Sequence, residues 1–335
     1  MVSTQYFIKR TAMAVVTFFV VISLTFAMIR LMPGGPLDYI QSQMAAAGQA
    51  PGEIAAEVER FSSINPQEPL WQQYLTYMAN TLQGNLGESM WYNDPVAEIL
   101  GNAMPWTIFV SIISMILIYL IGISMGAFMA YVEGSRFDVS WSTVSILLTS
   151  VPFYVIAVVL LWYLGYNLEW FPTSGHYGRG VEEGFNWEFI SSVMHHGALP
   201  IASLTLAGFG ATALAMRGNA IQILGEDYLR VARLRALSQR RIALRYVARN
   251  AVLPMYTSMM ISLGSLFGSS IILEQIFQYP GVGYFMYRAI SARDYPLMMG
   301  TFLFITAGVI IGVYIADLTY GYVDPRAGSG DREAF

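Results

Sequence analysis

The chain has 335 residues, of which 55% are hydrophobic and only 12% charged, and its formal net charge is −4. Soluble domains carry about a quarter charged residues, so this composition excludes an ordinary soluble fold and points to a polytopic membrane protein. The acidic balance gives no basis for nucleic-acid binding. No cysteine is present, which excludes disulfides, thiolate metal sites and a cysteine nucleophile.

The stretches between consecutive charges locate the elements in chain order. The windows 11–29, 99–132, 139–168, 189–216, 250–273 and 295–316 are each long enough for a helix to cross ~30 Å of hydrocarbon, which takes ~20 residues. They predict six helices near 11–30, 104–130, 143–166, 199–217, 254–274 and 297–319, since backbone polar groups must be satisfied internally in lipid. A seventh window, PLWQQYLTYMANTLQGNLG at 69–87, is charge-free but too polar and glycine-broken to cross, and reads as an extramembrane or interfacial helix. A signal-peptide reading of the first span is disfavoured because no small-residue cleavage site precedes Arg30.

Orientation follows from arginine and lysine. Lys9 and Arg10 precede span 1, and 217–250 holds Arg217, Arg230, Arg233, Arg235, Arg240, Arg241, Arg245 and Arg249. The segments 31–102 and 167–198 are acidic, with only Arg60 and Arg179 as cations. Both termini and the arginine-rich loop are therefore expected in the cytoplasm and the acidic segments outside, although Arg288 and Arg293 in the external 275–296 loop fit less well. The expected division is 1–30 (N-terminus and first helix), 31–102 (external, with the interfacial helix), 103–320 (five-helix core including the loop 217–250) and 321–335 (cytoplasmic tail).

Positive-inside topology does not need that many arginines, and the loop has helical order. Tyr228, Val231, Ala232, Leu234 and Leu237 are apolar at helical spacing, with Arg230, Arg233 and Arg235 on much of the other side. Ser238 can cap a second helix from Gln239, in which Ile242, Leu244, Tyr246 and Val247 alternate with Arg240, Arg241, Arg245 and Arg249. Asn250 and Pro254 mark the entry to span 5. By spacing alone, this helix–turn–helix could enter a groove on another protein or bind lipid headgroups.

Tyr228-Leu-Arg-Val-Ala-Arg-Leu-Arg-Ala-Leu-Ser and Arg249-Asn-Ala-Val-Leu-Pro resemble the cytoplasmic loop of ATP-binding-cassette (ABC) importer permeases of the dipeptide, oligopeptide and nickel branch. Six further segments resemble that family in collinear order. They are Arg30-Leu-Met-Pro-Gly-Gly-Pro, Pro69-Leu-Trp-Gln-Gln-Tyr with Gly84-Asn-Leu-Gly-Glu-Ser, Glu274-Gln-Ile-Phe-Gln-Tyr-Pro-Gly-Val-Gly, Arg293-Asp-Tyr-Pro and Asp324-Pro-Arg. The resemblance implies an all-α polytopic fold of the type I importer permease, with an external insert between helices 1 and 2. It also implies a coupling helix docking on an ATPase subunit, carried here by Glu226, Asp227, Tyr228, Arg230, Ala232, Arg233, Leu234, Arg235, Ala236, Leu237, Ser238, Arg240 and Arg241. The implied partners are a second homologous permease, giving a heterodimer, two ATPases, an external solute-binding protein and membrane lipid. No cofactor is expected in this chain, ATP and Mg being held by the ATPases. Where the family usually has glycine this chain has Ala236; since alanine resists positive φ, the turn is expected to stay right-handed or to bend at Leu237–Ser238.

The rest of the chain offers little chemistry. Lys9 is the one lysine, so the phosphate loop G-x-x-x-x-G-K-[ST] cannot occur and ATP is not hydrolysed here by that route. His195 and His196 are adjacent and read as residues of the outer interface, not as metal ligands. Asp317, at the inner end of span 6, reads as structural. Gly208, Gly210, Gly264 and Gly268 are placed to let helices approach closely. Trp91, Tyr92, Trp106, Trp162, Trp170 and Phe171 suit aromatic belts. A secondary transporter or channel would show ionisable residues or repeats in the span cores, and a membrane enzyme would show converging acids or histidines; neither is seen. The expected cargo is peptide, with oligosaccharide or nickel as alternatives, and no substrate-path residue is assigned.

Overall fold

The computed structural model describes residues 4–31, 36–62, 64–65, 67–238, 241–242, 246–247, 249–264 and 271–323. The architecture is helical. The helices are α1 (Thr4–Leu31), α2 (Pro36–Ala46), α3 (Pro51–Ser62), α4 (Leu70–Leu82), α5 (Val96–Tyr131), α6 (Arg136–Ser150), α7 (Phe153–Leu160, continued as a π-helical turn over Leu161–Asn167), α8 (Trp187–Leu224), α9 (Asp227–Leu234), α10 (Arg249–Gly264), α11 (Ile271–Ile276), α12 (Val282–Ala292) and α13 (Tyr295–Val323).

Among the described residues, α1, α5, α8 and α13 are each long and apolar enough to cross a bilayer. Two of them start well before the expected point: α5 begins eight residues before 104 and α8 twelve before 199. The charge windows measure the lipid-compatible stretch, and a helix continues beyond it wherever its backbone bonds are satisfied. The third expected span, 143–166, is not one rod. α6 and α7 form a pair bent by 96°. Pro152 supplies no N–H and holds Val151 extended, at φ −93° and ψ 123°, which ends α6 there. Of the fifth expected span, α10 begins at Arg249, earlier than foreseen, and residues 265–270, with Gly268, lie outside the described residues. The window at 69–87 holds α4, while α2 and α3 had no counterpart in the sequence reading.

The chain divides into two compact units. The first comprises residues 1–108, 264–275 and 279–335. Within it α1 and α13 run antiparallel. Arg10 Nη1 meets Asp317 Oδ2 at 3.1 Å, giving Asp317 the structural role expected of it, and Thr11 Oγ1 lies 2.7 Å from Tyr314 Oη. Further along, Ile22 and Ile29 of α1 share a core with Met299 and Leu303 of α13, Ile40 of α2, Val58 and Phe61 of α3, and Tyr77 and Met78 of α4.

The second unit comprises residues 109–263 and 276–278 and is built around α8. Glycines set the helix separations there. A methyl group at Gly126 of α5 would overlap the Ala213 carbonyl oxygen of α8, and one at Gly122 would lie 2.6 Å from Thr212 Cβ. In the other direction, Gly208 abuts Ile118 of α5, and Gly210 would place a methyl 2.6 Å from the Ser145 carbonyl oxygen of α6. Gly208 and Gly210 are thus close-packing residues. Gly122 and Gly126, a small-xxx-small pair in plain view in the sequence, were not singled out there.

Replacing Gly126 by valine should cost about 1–3 kcal/mol through overpacking, and Gly101→Ala, where no atom lies within 4 Å, should be neutral or slightly stabilising. Thermal unfolding of the two purified variants in one detergent checks the contrast.

Candidate functional site

The arginine-rich loop is a short helix seated on a small apolar base. Helix α9 places Leu229 and Ala232 inward, fully or nearly fully buried, where they meet Ile242. Ile223 and Leu224 from the last turn of α8, with Leu237, Tyr246 and Val247, complete the cluster. Asn250 Nδ2 donates to Tyr228 Oη at 3.2 Å and to the Tyr246 carbonyl at 2.8 Å, tying α9 to the start of α10. Below this base Ala130, Met216, Ala220, Ala251 and Met255 join the ends of α5, α8 and α10, with Val247 packed against both clusters.

The turn after α9 differs from expectation. Ala236 adopts φ +53°, so the left-handed residue sits at the position where glycine is usual, with alanine in it. The Leu237 N–H donates to the Ala232 carbonyl at 3.3 Å, and Leu237 packs on the cluster that holds Ala232. This is the hydrogen bond and apolar contact of a Schellman cap, and together they hold alanine in a conformation that costs about 1–2 kcal/mol. Ser238 then opens a second helical turn, its carbonyl accepting the N–H groups of Arg241 and Ile242 at 2.9 and 3.0 Å.

The outward face of α9 is also apolar. Leu234 is 80% and Val231 55% exposed, with Tyr228 partly exposed and Arg230 and Arg235 exposed beside them. Glu226, Asp227, Ser238 and Arg241 are likewise exposed. Leu237 faces the base, not the open side. The backbone of Arg233 belongs to α9, and Arg240 lies outside the described residues.

Arg217 is not a free cation of the loop. It lies within α8, and its Nε and Nη2 donate to the two carboxylate oxygens of Asp138 at 2.5 and 2.7 Å. Asp138 is buried, and its Oδ2 accepts the Gly134 N–H at 3.0 Å while the Ser135 hydroxyl caps α6 by accepting the Asp138 N–H at 3.2 Å. The signal Ser135-x-x-Asp138 is a capping box and was legible; its pairing with a residue 79 positions away was not.

The remaining motifs cluster in the first unit. The buried Glu274 carboxylate accepts Thr107 Oγ1 at 2.8 Å and the Tyr284 N–H at 2.9 Å, and the Val282 N–H donates to Thr107 at 2.9 Å. A Cβ at Gly281 would sit 2.5 Å from that carboxylate; one at Gly283 would sit 3.0 Å from it and 2.6 Å from Ile271 Cα, so Gly281 makes room for an acid that caps α12 and Gly283 for that acid and the backbone of α11 together. Asp294 caps α13 by accepting the Leu297 N–H at 3.1 Å; its other oxygen accepts the Ser89 hydroxyl at 2.5 Å and the Trp91 N–H at 3.1 Å. Residues 32–35 and Asp324-Pro-Arg lie outside the described residues. His195 Nε2 bonds the Trp170 carbonyl at 2.9 Å and His196 Nδ1 the Ser192 carbonyl at 2.8 Å.

The helical membrane fold, with the short basic helix α9 between two of its long helices, is that of a transport permease by comparison with known proteins. Residues 122–329 match the family described as binding-protein-dependent transport system inner membrane component, and the chain belongs to that family. It is 31% identical over 336 residues to the di/tripeptide transport system permease protein DppB of Pseudomonas aeruginosa (strain UCBPP-PA14), covering 96% of this chain and 98% of that protein. Identity is 31% over 324 residues to the oligopeptide transport system permease protein AppB of Bacillus subtilis (strain 168), at the same coverage. It is 29% over 344 residues to the dipeptide transport system permease protein DppB of Escherichia coli (strain K12). An inward-facing structure of the MetNI methionine ABC transporter aligns with a TM-score of 0.52 at 15% identity, over 69% of this chain and 96% of that one, and shows a shared fold.

Asp138→Ala strands the Arg217 guanidinium and should cost about 3 kcal/mol, with part recovered in the Asp138→Ala/Arg217→Ala double variant; thermal stability of the three purified proteins checks it. Ala236→Gly should relieve about 1 kcal/mol of backbone strain. Slower amide hydrogen exchange at Leu237 is the expected reading.

Proposed function

We propose that this chain is one of two homologous permease subunits of an ATP-driven importer that moves peptides inward, forming half of the translocation path. An external solute-binding protein delivers the cargo. Two ATPase subunits, which carry the ATP and Mg, dock on the cytoplasmic side and supply the energy. Both termini are cytoplasmic; the antiparallel pairing of α1 and α13, with Arg10 and Asp317 at one end, supports their lying on the same side. Peptide cargo is supported by relatives named as di/tripeptide, oligopeptide and dipeptide permeases. Oligosaccharide and nickel are the alternative cargoes of the same architecture.

The observation that carries this reading is the second apolar face of α9. A helix seated by Leu229 and Ala232 has no need of Val231 and Leu234 on its open side unless a partner covers them. Tyr228, Val231 and Leu234 enter a groove on the ATPase, as an amphipathic helix does. Arg230, Arg233 and Arg235, together with Arg240 and Arg241, pair with acidic groups around the groove, and Glu226 and Asp227 open the helix. Ala232, Ala236, Leu237 and Ser238 keep the element rigid. Closure of the ATPase pair then moves α9 as a lever and rocks the helices between two openings.

Leu234→Asp should weaken ATPase docking by about 2 kcal/mol or more, on the order of thirty-fold, and abolish peptide uptake. Co-purification from the native host and uptake of labelled dipeptide in vesicles read the two effects. Retention of both ATPase and uptake in the variant overturns the assignment.

A further inference from the structure

Helix α4 is turned inside out for a helix in water. Its exposed residues are Leu70, Trp71, Leu75, Ala79 and Leu82, all apolar and spaced along one face. Its polar residues are drawn inward: Gln72, Thr76, Asn80 and Thr81 are half-buried, and Gln73 is buried with its amide donating to the Glu68 carbonyl at 2.6 Å. Polar exposure resumes at Gln83, where the helix ends. Nearby α3 has the opposite pattern, exposing Glu53, Glu59 and Arg60 and burying Val58 and Phe61. Both helices pack on the same core. One is built for water and the other is not.

The level of α4 along α1 and α13 says what it meets. The Arg10–Asp317 pair marks a common level in the two long helices. Counting about twenty residues for ~30 Å of hydrocarbon puts the opposite edge near residue 30 of α1 and near residue 297 of α13. Tyr74 Oη lies 2.8 Å from Ser23 Oγ, which is about 10 Å inside that edge. Phe26 has its ring centroid 5.4 Å from that of Tyr74 and 5.7 Å from that of Tyr77. Tyr77 and Met78 share a core with Ile22, Ile29, Met299 and Leu303. Every one of these α1 and α13 partners sits on the hydrocarbon side of both edges.

We infer that α4 is embedded in the outer leaflet, with Leu70, Trp71, Leu75, Ala79 and Leu82 against lipid acyl chains. The exposed residues Phe19, Val20, Leu24 and Met28 of α1, the helix it packs on, supply apolar surface at the same depth. Helix α4 is thus submerged, while α3, which shares its core, turns a charged face to water. The inference rests on α1 and α13 spanning the bilayer and, for the choice of the outer leaflet, on the proposed cytoplasmic termini; it stands apart from the identity of the cargo.

The chain has no cysteine, so each placed thiol is the single labelling site of this subunit, and the unsubstituted transporter labelled in parallel gives the background of its partners. Leu75→Cys, Ala79→Cys, Leu24→Cys and Glu59→Cys are each labelled with an environment-sensitive NBD probe in the assembled transporter, reconstituted in phosphatidylcholine vesicles. Emission is then quenched by a nitroxide on the upper acyl chain or by aqueous iodide. The expected result is a blue-shifted probe at 75 and 79 that loses most of its emission to the nitroxide lipid, as at 24, while the probe at 59 responds to iodide. Iodide quenching at 75 and 79 means a water-facing helix and overturns the inference. Shielding from both quenchers means that another protein chain covers the face, and also overturns it. Failure of the nitroxide lipid to reach position 24 removes the membrane level of α1, and the inference with it, while leaving the docking test at Leu234 independent.

Discussion

Helices in lipid gain little from excluding one another's apolar surface, because the lipid is as apolar as they are; close approach must supply the attraction. Here that constraint falls on α8. Gly122 and Gly126 bring α5 onto it, and Gly208 and Gly210 bring it onto α5 and α6, each glycine standing where a methyl would strike a neighbouring atom. The Arg217–Asp138 pair closes the end of the same seam with two hydrogen bonds between charged groups. Helix α8 is thereby held along much of its length and ends at Leu224, leaving two residues before α9. Any displacement of α9 is passed first to α8, the helix at the centre of its unit.

The parts of this arrangement that the sequence reveals are those governed by local chemistry. Charge-free windows locate the spans because an ion in hydrocarbon is costly whatever surrounds it. The apolar spacing of 228–237 locates α9 because a helix repeats its own face. Pro152 was equally visible, but a window average does not register that one missing N–H divides 143–166 into two helices. Helices α2 and α3 carry ordinary soluble composition, which leaves no mark in charge-free windows. The long-range pairs were out of reach: nothing near Asp138 names Arg217, and nothing near Asp294 names Ser89. Motifs such as Glu274…Gly283 could be matched before they could be explained. Their explanation is steric, since two glycines must clear space for one buried carboxylate.

Ala236 shows local propensity losing to tertiary packing. Alanine favours a right-handed turn, and taken alone that argument moves the bend one or two residues on. The structure instead keeps the left-handed residue and accepts the strain, because moving the bend would lift Leu237 off Leu229, Ala232 and Ile242. Half-burying a leucine is worth about 0.8–1.5 kcal/mol and the Leu237–Ala232 hydrogen bond about 1 kcal/mol more, against about 1–2 kcal/mol for the left-handed alanine. The comparison favours the geometry observed, and it also implies that the turn is under tension that glycine would not carry.

Helices α4 and α9 both present apolar faces outward, and the residues around each face separate their roles. On α4 no exposed position between Leu70 and Leu82 is polar, which suits a solvent with no hydrogen-bonding capacity. On α9 the leucine and valine are flanked by exposed arginines that stay hydrated, which suits a face that stands in water and, in the assembly proposed above, meets a partner with its own acids. A lipid-bound helix can rest on a soft surface and needs no fixed geometry. A lever cannot. The second helix therefore has the capped turn, the Asn250 tie and an apolar base joined through Val247 to the ends of α5, α8 and α10, none of which α4 requires. With its base continuous with three helix ends, α9 cannot tilt alone: a push on it must either shear Leu229 and Ala232 out of their cluster or carry α8 with it. The glycine seam and the Asp138 pair decide in favour of the second.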